Sequence, residues 1–500
     1  MLADELGNIL TPSVVYFGDS EIVVGREALR EISHQFHSIA DTAKRDIGQP
    51  FYRRPIQGKS LPPEVIQACI LRHLKKTVEH QLEHDAAVVI TVPAFFDERR
   101  RKSTIDAGRM AGLDLLDIIN EPTAAALAFG EQLGFLARDG SVPDPVRAIV
   151  FDLGGGTFDV TAIELKGDSF RTLATDGDVR LGGTEWDERL AGYCAQKFES
   201  DHRIDPRDDA AASARLLRKC EEAKQTLSTR NQVTIQVEYD GKSSAVVVTR
   251  EQFESLTVDL LERTAHTVDS VRTAAGLKWE QVDRLLLVGG STRMPMVSER
   301  LQRLAGKLPE QSVNPDEAVA RGAAIFAAHL LSRSGQPGVP LRSLDVIDVN
   351  SHSLGVEGVD VATGRKENSI VIPRNTPLPA RFVQSYVTRE EHQPSIVVKV
   401  LEGETSDPAD CITIGRAVLR DLPDLPKGHP LEIILEYESN GRLQVLLIVE
   451  GTDRKLEMEL QRGDSLTSQR VEGWRDAIAG DGGFVAFDDM LQSVLGIDEK

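Results

Sequence analysis

The sequence predicts an α/β region followed by an all-β sandwich, and three observations carry this prediction. Residues 1 to about 332 alternate apolar strand patterns with long helical patterns, which is typical of an α/β domain or a pair of lobes. Serine, glycine and proline are then concentrated at 332–340, which indicates an exposed linker. From about 349 to 465, short β-branched segments are separated by turns, and this spacing indicates a sandwich.

A first glycine-rich turn lies at 150–160, where a buried strand pattern ends in a carboxylate, three glycines and a threonine. The residues are Asp152, Gly154, Gly155, Gly156 and Thr157. A hairpin tip of this kind points several backbone N–H groups at one spot and therefore suits a polyphosphate. Asp152 and Asp159 could hold a hydrated divalent cation beside it. On the motif alone, a plain glycine hairpin with a capping aspartate is an equal alternative.

A second glycine turn follows another buried strand pattern and precedes a helical pattern. Gly289 and Gly290 permit close approach to a flat nucleoside, and Arg293 offers a planar cation that can stack on a base. An ordinary strand-to-helix turn, with Ser291 or Thr292 as the helix N-cap, is the alternative. Neither turn has the spacing of a Walker loop or of the dinucleotide fingerprint, which disfavours both of those nucleotide folds.

Composition sets the outer limits of the interpretation. The chain has 500 residues, a formal net charge of −20 and an apolar fraction of 41%, which suits several domains with real cores. The negative charge argues against a nucleic-acid partner. Cys69, Cys194, Cys220 and Cys411 show no paired spacing and predict neither disulfides nor a zinc site. No run has membrane-spanning length and the first residues lack a signal-peptide pattern, so we expect a cytoplasmic protein with no membrane partner.

Six further segments occur in a fixed order along the chain. They are TPSVV at 11–15, AKR at 43–45, ITVPAFF at 90–96, INEPTAAA at 119–126, LGG at 181–183 and NPDEAVA at 314–320. Together with the two glycine turns, this series resembles the seventy-kilodalton heat-shock chaperones, the DnaK-like family, over nearly the whole chain. The resemblance implies a two-lobed nucleotide-binding domain with the actin and sugar-kinase fold, followed by a peptide-binding sandwich.

The resemblance implies catalytic roles for four residues. Lys44 resembles the family's phosphate lysine, a cation set against the transferring group and its attacking water. Glu121 and Asp152 resemble the carboxylates around the magnesium shell and that water, with Asp152 reaching the metal through water. Thr157 would help to cradle the β and γ phosphates. Without the family, Lys44 would be a solvated surface cation and Glu121 a helix cap.

The resemblance also implies ATP or ADP with Mg²⁺ as the cofactor. Glu221, Lys224 and Ser228 lie at i, i+3 and i+7 of a helical pattern, so one face would present all three to adenosine; an exposed amphipathic face is the alternative. The other implied nucleotide-binding residues are Gly154, Gly155, Gly156, Gly182, Gly183, Gly289, Gly290, Ser291, Arg293 and Asp316. We expect the two glycine turns to close over one triphosphate from opposite lobes.

The chain differs from the family at its front. Family members place a second Asp-x-Gly-Thr phosphate hairpin before the TPSVV segment, and residues 1–10 contain no such motif. The resemblance therefore implies half of a phosphate clamp, weaker nucleotide binding and impaired hydrolysis. Three explanations stay open: a start codon placed too late, a degenerate ATPase, or strands borrowed from a partner. The first is favoured because missing central strands would leave apolar edges unpaired.

By the resemblance, the sandwich binds extended apolar segments of unfolded proteins through main-chain hydrogen bonds and one apolar pocket. The implied pocket residues are Val356, Val359, Tyr386, Ile396 and Val398, and an ordinary core position is the alternative for each. We expect no long helical lid after the sandwich, and therefore fast peptide exchange. We assign the nucleotide domain to 1–332, the linker to 333–348, the sandwich to 349–468 and a short tail to 469–500.

The sequence thus predicts an ATP-dependent chaperone of the DnaK type, with a J-domain co-chaperone and a nucleotide exchange factor as further partners. A nucleotide-independent peptide-binding or scaffold protein with a degenerate ATPase domain is the alternative. A sugar kinase on the same fold is disfavoured because the last third of the chain predicts a sandwich.

Overall fold

The first lobe, defined here as residues 7–134, combines small sheets with helices. The computed structural model describes residues 2–4, 7–32, 35–82, 86–134, 144–310, 314–333, 344–360, 363–439, 441–459, 468–480 and 482–495. The first-lobe elements are β1 (Val14–Phe17), β2 (Ile22–Val24), α1 (Arg26–Glu31), β3 (Ile39–Asp41), α2 (Pro63–Leu82), β4 (Ala87–Val92), α3 (Glu98–Met110), β5 (Asp114–Asn120) and α4 (Glu121–Gln132). Within the described residues, β2-β1-β3 form an antiparallel sheet and β4-β5 a parallel pair.

The second lobe, residues 144–310, is built on a five-stranded sheet. Its elements are β6 (Val146–Leu153), β7 (Phe158–Lys166), β8 (Ser169–Asp178), α5 (Gly183–His202), α6 (Ala210–Leu227), β9 (Gln232–Tyr239), β10 (Lys242–Thr249), α7 (Arg250–Leu256), α8 (Val258–Ala274), β11 (Arg284–Val288) and α9 (Pro295–Ala305). They are followed by α10 (Ala318–Arg333) and the linker strand β12 (Asp345–Ile347). The sheet order is β11-β6-β7-β8-β12, with β11 parallel to β6 and β12 parallel to β8.

Apolar side chains cover both faces of this five-stranded sheet. One face packs against α5, α6, α8 and α9 around the fully buried Trp186. The other face packs against α4 and α10. These two helices approach so closely that a Cβ added at Gly322 would lie 1.6 Å from the Ala124 carbonyl oxygen. The nearly continuous apolar run of β6 follows from burial on both faces.

The C-terminal region forms the predicted sandwich. Its strands are β13 (Leu354–Val359), β14 (Lys366–Ile372), β15 (Ala380–Val387), β16 (Ser395–Glu402), β17 (Ile412–Arg420), β18 (Pro430–Tyr437), β19 (Leu443–Val449) and β20 (Lys455–Glu459). Two antiparallel sheets, β14-β13-β16-β17 and β15-β18-β19-β20, enclose one apolar core. Burial alternates strictly along β19, as a half-covered strand requires. The predicted fold class is confirmed, and the described residues contain no long helical lid.

The tail packs against the first lobe, which the sequence analysis did not predict. It forms α11 (Ser468–Ala479), a 3₁₀ turn at Gly483–Phe487 and α12 (Asp488–Leu495). Trp474 and Phe487 are fully buried there. The Phe17 ring of β1 lies 5.3 Å from the Phe484 ring and 6.2 Å from the Phe487 ring, measured between centroids. The tail therefore completes the core of β1 and α2.

The sandwich contacts both lobes. At the first lobe, the backbone N–H of Glu98 donates to Glu402 Oε2 at 3.3 Å, and the Tyr437 hydroxyl donates to Glu98 Oε1 at 2.7 Å. At the second lobe, the Thr175 N–H donates to Asn375 Oδ1 at 2.9 Å. None of the helices in the described segments combines the length and the hydrophobicity needed to cross a bilayer.

Candidate nucleotide site

The two glycine turns touch each other. β6 and β11 are parallel neighbours in which Val288 lies opposite Asp152, so the turns that follow them leave the sheet at the same edge. The Ser291 hydroxyl donates to the Gly154 carbonyl at 2.9 Å. Gly289 has a φ of +84°, and a Cβ there would lie 2.4 Å from the Leu153 carbonyl oxygen, so only glycine fits.

The expectation that the turns face each other from opposite lobes is therefore wrong. Both belong to the second lobe and form one wall, because the strands that carry them are adjacent in a single sheet. Two separate strand-and-turn motifs look alike in sequence whether they are neighbours or face each other across a cleft. Strand order decides between these arrangements, and neither motif encodes it.

The start of α5 extends this wall. The Gly183 N–H donates to the Gly154 carbonyl and the Thr184 N–H to the Gly155 carbonyl, each at 2.9 Å. A Cβ at Gly182 would lie 2.7 Å from backbone atoms of Gly155 and Gly156. By contrast, a Cβ at Gly155 would meet no atom within 4 Å, so this part of the turn faces open space. The backbone is fixed from behind and accessible in front, which suits a phosphate group.

The first lobe contributes charged side chains to the same region. Lys44 lies in a 3₁₀ turn, Ala43–Arg45, that follows Thr42 in the left-handed conformation with a φ of +47°. The Lys44 ammonium lies 2.5 Å from Glu121 Oε1, and Glu121 is the buried first residue of α4. Burial alone would lower the pKa of Lys44, but the carboxylates of Glu121, Asp152 and Asp159 raise it.

Three buried carboxylates surround that one lysine. Burial is the main cause that raises the pKa of Asp152 well above its usual range, and Glu121 and Asp159 add to it. Burial and then Glu121 raise the pKa of Asp159 to about 7, although the Phe95 N–H donates to it at 2.9 Å. The cluster thus disfavours its own negative charge, and a divalent cation would relieve this cost.

The carboxylates suit magnesium bound through water. No group of three or more His, Cys, Asp or Glu side chains in the described residues has the geometry to hold a metal directly. Mg²⁺ keeps several of its waters and commonly uses one or two carboxylates together with substrate phosphates. Asp152 fits that mode, because it lies at the end of β6 and its Oδ1 is 2.9 Å from the position of a Cβ on Gly289 in the second glycine turn.

The residues assigned to the adenosine side lie on the second lobe and on the segment after it. Lys224 is buried and its ammonium contacts the Gly183 carbonyl at 2.8 Å and Asp187 Oδ2 at 2.7 Å. Glu221 pairs with Arg218 at 2.6 Å, and Ser228 ends α6 as its C-cap. Arg293 is 55% exposed and pairs with Asp316 at 2.5 Å.

Sequence reasoning missed three residues that the structure brings to the site. Arg45 forms an ion pair with Glu185 across the lobes, and its Cγ lies 3.0 Å from the position of a Cβ on Gly156. Asp187 accepts a hydrogen bond from the Lys224 ammonium at 2.7 Å. Arg45 directly follows Lys44, so it could have been found; Glu185 and Asp187 lie in an ordinary amphipathic helix and gave no signal.

The residues assigned to peptide binding divide into two groups. Val356, Ile396 and Val398 are buried in the core of the sandwich. Val359 and Tyr386 are half-buried, and the Tyr386 hydroxyl donates to Ser369 Oγ at 3.1 Å. In this arrangement the second group is the more accessible to a bound segment.

Known proteins match the chain over most of its length. The family model described as Hsp70 protein matches residues 50–479. The chaperone protein DnaK of one strain of Thermus thermophilus is 36% identical over 506 residues, covering 94% of this chain and 78% of that protein. The DnaK of a second strain of the same organism gives the same identity and coverage.

The chain belongs to the Hsp70 family. Its function is that of an ATP-dependent chaperone of the DnaK type, and the family implies binding of a nucleotide and of unfolded polypeptides.

Proposed function

We propose that ATP binds with its phosphates against the wall formed by Gly154–Thr157, Gly182–Gly183 and Gly289–Ser291. The observation that carries this proposal is the direct contact between the two glycine turns, in which Ser291 Oγ donates to the Gly154 carbonyl. Backbone fixed in advance loses little freedom when a ligand arrives, so such a wall favours tight binding of an anion. Glu221, Lys224, Ser228, Arg293 and Asp316 hold the nucleoside.

Hydrolysis is proposed to use the charged cluster of the first lobe together with Asp152. Lys44 supplies a cation beside the terminal phosphate, and Glu121 and Asp152 accept hydrogen bonds from the attacking water. Thr157, which is buried at the end of the turn, helps to fix the phosphate position. Mg²⁺, when bound through water to Asp152, supplies counter-charge to the phosphates.

The sandwich is proposed to bind extended apolar segments at Val359 and Tyr386, with Val356, Ile396 and Val398 forming the base of that site. The contacts at Glu402, Tyr437 and Asn375 join the sandwich to both lobes and give a physical route by which nucleotide could alter peptide release. From the family resemblance we further propose that the protein works with a J-domain co-chaperone and a nucleotide exchange factor, and that it is cytoplasmic.

Thermal unfolding with increasing ATP and magnesium tests the nucleotide proposal. A ligand that binds only the folded state stabilises it by about 2.7 kcal/mol at a hundred times its dissociation constant, so the unfolding midpoint should rise with ligand concentration. Gly289→Ala should abolish this rise, because its Cβ would displace the wall at Leu153. An unchanged midpoint for the folded wild-type protein at millimolar ATP–Mg²⁺ would refute the proposal.

A further inference from the structure

A buried ion pair lies next to Gly183, one of the glycines of the wall. Asp187 on α5 and Lys224 on α6 are 7% and 10% exposed in their side chains, and Asp187 Oδ2 lies 2.7 Å from the Lys224 ammonium. The same ammonium donates to the Gly183 carbonyl at 2.8 Å. A Cβ on Gly183 would lie 2.8 Å from Lys224 Nζ and 2.4 Å from Ser291 Oγ. The ammonium therefore sits where α5, α6 and the second glycine turn meet.

Asp187 restricts a side chain that is otherwise highly mobile. A lysine has four rotatable bonds and loses up to about 2 kcal/mol of rotamer freedom when it is fixed. An ammonium has three N–H donors, and Asp187 and Gly183 accept two of them. The described residues show no acceptor for the third N–H of this ammonium.

We propose that Asp187 is a positioning residue for nucleotide binding, which holds the Lys224 ammonium at the junction so that its third N–H reaches the nucleoside. This inference rests on the proposed function, because Lys224 has a ligand to hold only if a nucleotide binds there. Lys224 is thus proposed to contact the nucleoside of the ligand and not its phosphates.

A purely structural role explains the pair less well. Asp187 Oδ1 is buried without a hydrogen-bond partner among the described residues. A buried pair with an unsatisfied oxygen adds little stability compared with apolar residues of similar size. Burial is the main cause that raises the pKa of Asp187 to about 7; Lys224 lowers this pKa, and Glu221 and Glu185 raise it. Of these acids, Glu185 is itself paired with Arg45.

The test compares ADP with inorganic pyrophosphate, both with magnesium, on wild-type protein and Asp187→Asn. The variant keeps the shape of the side chain but removes the charge that holds the ammonium. We expect the dissociation constant for ADP to rise about tenfold and that for pyrophosphate to stay unchanged. Asp259→Asn is the matched control. Asp259 lies on α8 and forms an exposed ion pair with Arg189, which is on the same helix α5 as Asp187. It should change neither constant.

The pH profile separates positioning from general stability. Deprotonated Asp187 attracts Lys224, so the wild-type advantage over Asp187→Asn should be near one at pH 6 and grow to about tenfold at pH 8. Titration of the ADP phosphates is common to both proteins and cancels in the ratio. A ratio that stays constant from pH 6 to pH 8 contradicts the inference.

A second variant covers the case in which Asp187→Asn does not fold. The double substitution Asp187→Leu with Lys224→Met removes both charges and keeps the site filled, so the protein should remain folded while ADP binding weakens about tenfold. Equal ADP affinity in this variant and the wild type overturns the inference. If wild-type protein itself binds neither ADP nor pyrophosphate, the proposed function fails instead.

Discussion

The two lobes contribute to the candidate site in different ways. The second lobe supplies backbone, because its turns extend from a sheet that is covered by helices on both faces. The first lobe supplies the side chains of Lys44, Arg45 and Glu121 from a short 3₁₀ turn and a helix start. Its described sheets have three and two strands, and its core is completed by Trp474 and Phe487 of the tail.

This difference teaches that the backbone wall and the Lys44–Glu121 pair beside it are provided by separate parts of the chain. The position of the wall is fixed by strand pairing within the second lobe. The positions of Lys44 and Glu121 depend on a lobe whose core includes Trp474 and Phe487 of the tail. Substitutions should therefore affect the two lobes unequally.

The largest expected effect is on the first lobe alone. Trp474→Ala removes a fully buried side chain from its core and should lower its free energy of unfolding by about 3–5 kcal/mol. Hydrogen exchange should speed up at β1 and α2 and stay unchanged at β6 and β11. Val485→Ala, on the same tail but 59% exposed, is the control and should cost less than about 0.5 kcal/mol. Equal acceleration in both lobes would mean that the tail does not belong to the first-lobe core.

The next effect concerns the wall in the second lobe. Gly289→Ala places a Cβ 2.4 Å from a carbonyl oxygen at a φ of +84°, so we expect a loss of about 2 kcal/mol or more and no nucleotide-induced stabilisation. Gly276→Ala measures the cost of a left-handed backbone conformation without a clash, because Gly276 has a φ of +68° and no atom lies within 4 Å of the added Cβ. Urea unfolding of both variants gives the comparison, and equal losses would show that the wall tolerates a side chain.

Much of this architecture was predictable from sequence. The apolar runs of β6 and β11 and the alternation in β19 are local patterns, and the structure has strands at each of them. The packing of the tail was not predictable, because Phe484 and Phe487 pack against Phe17 more than 450 residues away. An apolar residue in a short helix predicts that its side chain will be buried, but it does not predict which element will cover it.

The contact between the sandwich and the first lobe should weaken as the pH rises. Glu402 is buried at that contact, where it faces Asp97, Glu98, Tyr437 and the arginines of α3. Burial is the main cause that raises its pKa to about 8, Asp97 adds to the rise, and Arg101, Arg100 and Arg99 oppose it. The docked state thus favours the protonated carboxyl, and docking should weaken by up to tenfold per pH unit as the pH rises toward 8.

Energy transfer between dyes on the exposed positions Leu74 and Val397 measures this docking. Glu402→Gln should remove the pH dependence and hold the sandwich docked above pH 8, since the amide cannot ionise. His392→Gln is the control, because His392 titrates in an exposed pair with Asp424 outside the contact. An unchanged pH profile in Glu402→Gln would assign the dependence to another group.

The smallest effect concerns closure between the lobes. Arg45→Gln removes the ion pair with Glu185 and should raise the dissociation constant for ATP–Mg²⁺ about fivefold, mainly through faster release. Stopped-flow displacement measures that rate. Arg109→Gln, an exposed first-lobe arginine paired with Asp106, should leave it unchanged. If both variants release nucleotide at the wild-type rate, Arg45 does not hold the lobes together.

The parts of the site that a local motif marks were predictable from the sequence. The parts that depend on which helices and strands are neighbours were not. Gly154–Thr157 and Gly289–Ser291 are recognisable as glycine-rich turns that follow apolar strands, and Gly289 has a φ of +84° and a close backbone contact that only glycine accommodates. Asp187 could not be recognised from the sequence, because its partner Lys224 lies on another helix and no local motif marks the pair. The wrong placement of the turns in opposite lobes had the same origin, since strand order is a property of the whole sheet.

Hydrogen exchange with and without ATP–Mg²⁺ tests the central claim most directly. If both glycine turns form one wall for the phosphates, amides at 154–157 and at 289–293 should be protected together and at the same ligand concentration. Protection of one turn without the other, or of neither while the ligand is bound, would contradict a shared wall.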